Sequence, residues 1–185
     1  MESKRLFIGV NLVDRFDFNS LIYILKKELA WCDIKWVNPF NIHLTIKFIG
    51  DTKLFEKITN QLNFIKKSSF DINFDGLSYF SRDSLPSTVH IETLISDNCL
   101  KLYTEIENKL LPLGLDKDSR CFKPHITLGR VKQCSDVKRF KDAIAKIDQT
   151  IEKLKINICD FILFESILKP QGPEYRVLQK YNLES

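Results

Sequence analysis

Two short segments hold the residues best suited to chemistry. Residues 41–50 read NIHLTIKFIG and residues 123–132 read KPHITLGRVK, so each contains His-x-Thr, and His43 stands 82 positions before His125. Only three histidines occur in the chain, and two of them in one motif is not what composition supplies. A lone histidine is more often a satisfied core or surface residue than a catalyst; the matched pair reverses that expectation. Two imidazoles are needed when one group takes a proton from an attacking oxygen while another gives a proton to a leaving oxygen, and phosphodiester displacement is such a reaction. An imidazole titrates near pH 6.5, so one ring can be neutral while the other is charged, each contributing on the order of 10²- to 10⁴-fold. Threonine hydroxyls can hydrogen-bond the non-bridging phosphate oxygens on which charge accumulates. A serine or cysteine nucleophile has no GxSxG elbow or cysteine signature to support it.

The elements that must position these residues are legible in the hydrophobic pattern. On a strand, His43 and Thr45 share one face while Leu44 and Ile46 take the other, and His125 and Thr127 oppose Ile126 and Leu128 likewise. The 82-residue offset recurs in helical stripes: Phe55, Ile58, Leu62 and Ile65 are answered by Val137, Phe140, Ile144 and Ile147. Phe18, Leu21, Ile22, Leu25 and Leu29 are answered by Cys99, Leu102, Tyr103, Ile106 and Leu110, 81 residues on. Asp17 and Asp97 are the expected N-caps of this second pair, and Gly114 an expected stop. Strands are expected over 6–10 and 89–93, over 42–49 and 125–131, and over 70–79 and 152–163. Each half therefore reads β-α-β-α-β. The expected fold is α+β and bilobal, a pseudo-two-fold duplication of halves at about 1–82 and 83–185 within one domain, with antiparallel sheets facing a central cleft.

Composition bounds the rest. With 185 residues, 44% of them hydrophobic, the chain can bury a sizeable core, and its net charge of +4 is compatible with a polyanionic ligand without proving one. Five scattered cysteines with no CxxC pair suggest neither a disulfide framework nor a zinc cluster. No metal and no cofactor are expected. The apolar run near the N-terminus is too short for a signal peptide or a membrane span, so a cytoplasmic, non-membrane protein is expected, with monomer as the default.

Beyond the four central residues the pattern offers weaker candidates. Arg130 could add a charge-assisted bond to phosphate, but strict alternation would turn it toward the face of Ile126 and Leu128 unless the strand ends or bulges there. Lys47 is in register with Thr45. Lys138, Arg139 and Lys141 lie mainly off the apolar stripe of their helix and read as a solvated face.

At these motifs the sequence resembles the 2H phosphoesterase superfamily, named for its two His-x-Thr/Ser-x motifs, and within it the RNA 2',3'-cyclic phosphodiesterases, also called 2'-5' RNA ligases. KRLFIGVNL is similar to that group's first strand, NIHLTIKFIGD and FKPHITLGRV to its two catalytic strands, and FILFESILKPQGPEYRVLQKYNL to its C-terminal hairpin. The resemblance covers nearly the whole chain. It implies a metal-independent hydrolysis of RNA ends bearing a 2',3'-cyclic phosphate to a 2'-phosphate. It also implies His43 as proton donor to the 3' oxygen, His125 as proton acceptor from water, and Thr45 and Thr127 on the phosphate. Arg130 matches a position the family uses beside the phosphate. The stretch SYFSRDSLPSTVHIET departs from the family, in which an aromatic residue often stands near the position of His90. By the repeat, His90 answers Phe7, and both rings are candidates for stacking on a base or for plain packing. Two other assignments use the same residues: a phosphodiesterase for 2'-5' oligonucleotides or cyclic nucleotides, and an RNA- or nucleotide-binding module without turnover. Loss of function in His43→Ala or His125→Ala separates the last from the enzymes.

Overall fold

Each of the four apolar stripes forms a helix: α1 (Phe18–Glu28), α2 (Phe55–Leu62), α3 (Asp97–Leu110) and α4 (Val137–Asp148). The computed structural model describes residues 2–13, 15–118 and 121–184. The buried apolar helical side chains belong to the stripes, with Phe18, Leu21, Ile22 and Leu25 on α1 and Phe140, Ile144 and Ile147 on α4. Burying one such side chain is worth roughly 1.5–3 kcal/mol, and that apolar face holds each helix in the common core. Asp17 caps α1, its carboxylate accepting from the Ser20 N–H at 3.1 Å, and the Ser20 hydroxyl first and its N–H second lower the pKa of Asp17. Asp97 does not cap α3. Ser96 holds the extended cap position and Asp97 lies in the first turn, where its charge meets the positive end of the helix dipole. Gly114, left-handed at φ 77°, closes the short 3₁₀ turn Leu111–Leu113 that follows α3.

Nine strands among the described residues are β1 (Lys4–Asn11), β2 (Asp33–Trp36), β3 (His43–Thr52), β4 (Phe70–Arg82), β5 (Leu85–Ile95), β6 (His125–Gln133), β7 (Lys155–Ile158), β8 (Asp160–Lys169) and β9 (Gly172–Asn182). All pair antiparallel, in the order β7-β4-β5-β6-β3-β1-β8-β9, with β2 also on β6. The two sheets expected from the sequence are thus joined into one, and β3 meets β6 at the single pair Leu44↔Ile126. These residues are themselves 82 apart, so the local two-fold passes between them. The third strand of each half crosses to the other lobe: β4 lies against β5, and β8 against β1. Segment 152–163 is not one strand but two, β7 and the start of β8, on opposite sides of the sheet. The short strand β2 had no counterpart among the expected elements. It takes the edge of β6 beyond the point where β3 departs.

Candidate active site

The strands β3 and β6 begin at His43 and His125, on either side of the two-fold. Each Nδ1 is fixed by the carbonyl two residues earlier, Asn41 O at 2.7 Å and Lys123 O at 2.8 Å. A carbonyl only accepts, so each Nδ1 carries a hydrogen, and the neutral ring keeps its lone pair on Nε2. Both rings are half-buried. Burial lowers both pKa values below 6.5, and the charges of His125 and Arg130 lower His43 further. Thr45 and Thr127 are half-buried on the same strand faces, while Leu44, Ile46, Ile126 and Leu128 are buried in the core.

A bulge sits at the same place in both lobes and decides which cation reaches the site. Gly9 pairs with Thr45 and Ile8 with Lys47, leaving Ile46 unpaired. His90 pairs with Thr127 and Val89 with Gly129, leaving Leu128 unpaired. One extra residue reverses the alternation beyond it. Lys47, in register with Thr45 by simple counting, therefore turns into the core, where it is 2% exposed and pairs with Glu107 at 2.6 Å. Arg130 turns out of the core and is exposed. Its charge bears on His43, His125 and Tyr175. Gly129 makes this possible: a Cβ there would come within 2.8 Å of both Ile34 and Trp36 on β2.

Rings hold each histidine from behind. Phe7 lies 4.9 Å and Tyr175 5.0 Å from His43 between centroids, and Phe7 stacks on Phe164. Phe80 lies 4.8 Å and His90 5.3 Å from His125. The register equates His90 with Gly9 rather than with Phe7, but the Phe7 ring leans over Gly9, 3.6 Å from where a Cβ would be, and so fills the corresponding space. Phe7 and His90 are 3% and 1% exposed, which places them as packing behind the histidines. The free ring on this side is Phe48, 66% exposed and 6.3 Å from Phe7, at the position that answers Arg130 across the two-fold. Tyr175, Phe48 and Phe80 were not singled out from the sequence, because they arrive from other strands or past the bulge and no local pattern marks them. The lysines and arginine of α4 stay outside the site; Arg139 lies 4.5 Å over the ring of Trp31.

His90 makes the fold sensitive to acid. Burial pushes its pKa down to about 4, with Glu92 Oε1 at 3.9 Å and His125 beside it. In the unfolded chain it titrates near 6.5, so the unfolded state takes the proton first as pH falls. The stabilisation from keeping it neutral is present above pH 6.5 and is lost on descent toward 4, roughly 3 kcal/mol in all. Urea midpoints measured from pH 7 to 4 should fall less steeply for His90→Phe than for the unmodified chain; parallel curves would refute this.

Comparison with known proteins agrees with the geometry. The family model described as LigT like Phosphoesterase matches residues 15–90 and 89–175, one match for each half. A protein of Thermotoga maritima named RNA 2',3'-cyclic phosphodiesterase is 30% identical over 97% of this chain and 96% of its own length. One of the same name from Archaeoglobus fulgidus is 29% identical over 96% and 99%. In fold, the chain is similar to E. coli LigT crystallised with 3'-AMP, with a TM-score of 0.77 at 19% identity over all of both chains. TT0787 of Thermus thermophilus gives 0.72 at 22% over 96% and 97%. Two His-x-Thr strands meeting at a local two-fold, and a family match that falls once on each half, make this chain a member of the LigT-like phosphoesterase family.

Proposed function

We propose that the chain hydrolyses RNA ends bearing a 2',3'-cyclic phosphate, leaving a 2'-phosphate and a free 3'-hydroxyl, and that residues 1–185 act as one unit whose halves share one site. The observation that carries this is the pair of half-buried imidazoles, each locked through Nδ1 by an equivalent carbonyl and each leaving Nε2 for the substrate. In the reaction, the oxygen of water attacks phosphorus while its proton passes to Nε2 of His125. The bond from phosphorus to O3' breaks, and the proton on Nε2 of His43 passes to O3'. Thr45 and Thr127 hydrogen-bond the non-bridging oxygens, and Arg130 neutralises the phosphate. A 5'-hydroxyl entering in place of water gives a 2'-5' linkage from the same site. Phe48 offers an unstacked base an exposed face, as aromatic side chains do in single-stranded RNA recognition; this role passes to it from the buried Phe7 and His90. No described helix is long and apolar enough to cross a membrane.

The test is to incubate the purified protein with EDTA and a short RNA ending in a 2',3'-cyclic phosphate and to identify the terminus formed. A 2'-phosphate is expected. A 3'-phosphate would exchange the leaving group, and no turnover would sink the proposal. The pH profile is a second check. The base must be neutral and the acid protonated, so kcat/KM should be bell-shaped. Because burial lowers both histidines in the free protein, the alkaline limb should begin below pH 6.5; a plateau extending past pH 7.5 is the contrary result. The productive form carries the proton on His43, and a bell-shaped profile alone does not distinguish it from the form with the proton on His125.

A further inference from the structure

Lys35 belongs to β2, the strand that the sequence did not announce, and its Cα is in register with that of Arg130. Neighbouring residues directly opposite on a ladder present their side chains to the same face, so Lys35 stands beside the cation that the bulge turns toward the histidines. Like charges directly opposite destabilise a sheet. Among the described residues neither Lys35 nor Arg130 forms a salt bridge, and Lys35 is exposed. The carboxylates of the β8–β9 hairpin are committed elsewhere, Glu174 to Lys169, and Glu165 to Lys4 at 3.1 Å and Arg176 at 3.8 Å. The hairpin nonetheless reaches Lys35. Its ammonium lies 3.7 Å from where a Cβ on Gly172 would stand, and the next residue, Pro173, is held by the Asn41 side chain through a 2.6 Å hydrogen bond to its carbonyl. The backbone carbonyl of that same Asn41 fixes His43. Lys35 is therefore at the rim of the reaction site, under the hairpin tip, rather than on a remote surface.

Charge counting separates the duties of the two cations. A cyclic phosphodiester is a monoanion, and Arg130 together with the protonated His43 of the proposed mechanism already supplies the positive charge that it needs. A second unpaired cation alongside calls for a second anion, and in an RNA end the next one is the phosphodiester that joins the terminal nucleotide to its neighbour. Resting on the function proposed above, we infer that Lys35 binds this preceding phosphodiester and makes the site prefer an oligonucleotide end over a nucleoside 2',3'-cyclic monophosphate, which has no such group.

The experiment compares kcat/KM on a dinucleotide or longer RNA ending in a 2',3'-cyclic phosphate with kcat/KM on a nucleoside 2',3'-cyclic monophosphate, for the unmodified protein, Lys35→Met and Lys35→Arg. For Lys35→Met a loss of about tenfold is expected on the RNA, the scale of one charge-assisted hydrogen bond, with less than twofold change on the mononucleotide. Lys35→Arg should recover most of the loss. The salt dependence on RNA should also weaken in Lys35→Met by about 0.7 in the slope of log kcat/KM against log salt, as for one phosphate contact fewer on a single strand. A merely structural role would lower both substrates together and leave that slope unchanged, which overturns the inference, as does an unaltered rate on RNA. Failure of the unmodified protein to open either cyclic phosphate overturns instead the proposed function on which the inference rests.

Discussion

Replacing His43 or His125 by alanine should lower kcat on a cyclic-phosphate RNA end by on the order of 10²- to 10⁴-fold, with KM changed little. Each imidazole moves a proton only as the phosphorus bonds change, so its loss is felt in the transition state more than in the bound substrate. The two losses should not multiply in the double variant, because the pair acts as a unit. Roles can be told apart by a substrate with sulfur in place of the 3' oxygen. A thiolate leaves with little help from an acid, so His43→Ala should regain at least tenfold of its deficit on that substrate, within the range that general-acid catalysis contributes. His125→Ala should regain none, since activation of water is unaffected by the leaving atom. Recovery of His125→Ala instead would reverse the assignment of acid and base. A rate on the ordinary substrate that survives both substitutions would mean that the histidines are not the catalysts at all.

A second substitution should damage the fold rather than the chemistry. Lys47 and Glu107 are 2% and 3% exposed, and Nζ donates to Glu107 Oε1 at 2.6 Å and to the Asp116 carbonyl at 3.0 Å. The other carboxylate oxygen of Glu107 accepts from the Asp118 N–H at 3.3 Å, so the pair ties β3 and α3 to the segment leading toward β6. Lys47→Met leaves the carboxylate of Glu107 buried without its cation, and breaking a buried pair in this way typically destabilises by about 3–5 kcal/mol. That is a large part of the 5–15 kcal/mol or so that holds an ordinary domain together. Replacing both, Lys47→Met with Glu107→Leu, should return most of the stability, because a well-packed apolar pair needs no desolvation of charge. Denaturant midpoints for the single and double variants decide this, and equal midpoints for both would show that the orphaned carboxylate is not what destabilises Lys47→Met.

What the sequence made legible follows from periodicity. The stripes of α1 to α4 and the alternation around His43 and His125 are local properties, and a spacing of 82 carried from helices to motifs is a signal that survives any uncertainty in the connections. The bulges are not local properties. Ile46 and Leu128 look like ordinary inward residues, and only the pairing with β1 and β5 shows that each is an extra one. That single insertion is why counting sends Lys47 to the site and Arg130 to the core, when the fold does the reverse. Gly129 is the residue that the bulge turns inward against Ile34 and Trp36, but counting alone puts it on the face of His125 and Thr127. β2 escaped because four residues with two exposed charges carry too little pattern, and Tyr175, Phe80 and Lys35 escaped because register between distant strands is set by the fold as a whole.

The crossing of third strands between lobes has a consequence for how the molecule is made. A chain emerging from the ribosome can pair β4, β5 and β6, which follow one another, before β8 and β9 are made. The lobe of His43 has to wait, since Phe7 has no cross-strand neighbour on that side until Phe164 appears, and Tyr175 comes later still. Contacts so distant in the chain form slowly. A nascent chain that already displays both His-x-Thr segments is thus still open on one side, with the later β8–β9 hairpin supplying the wall behind the first histidine.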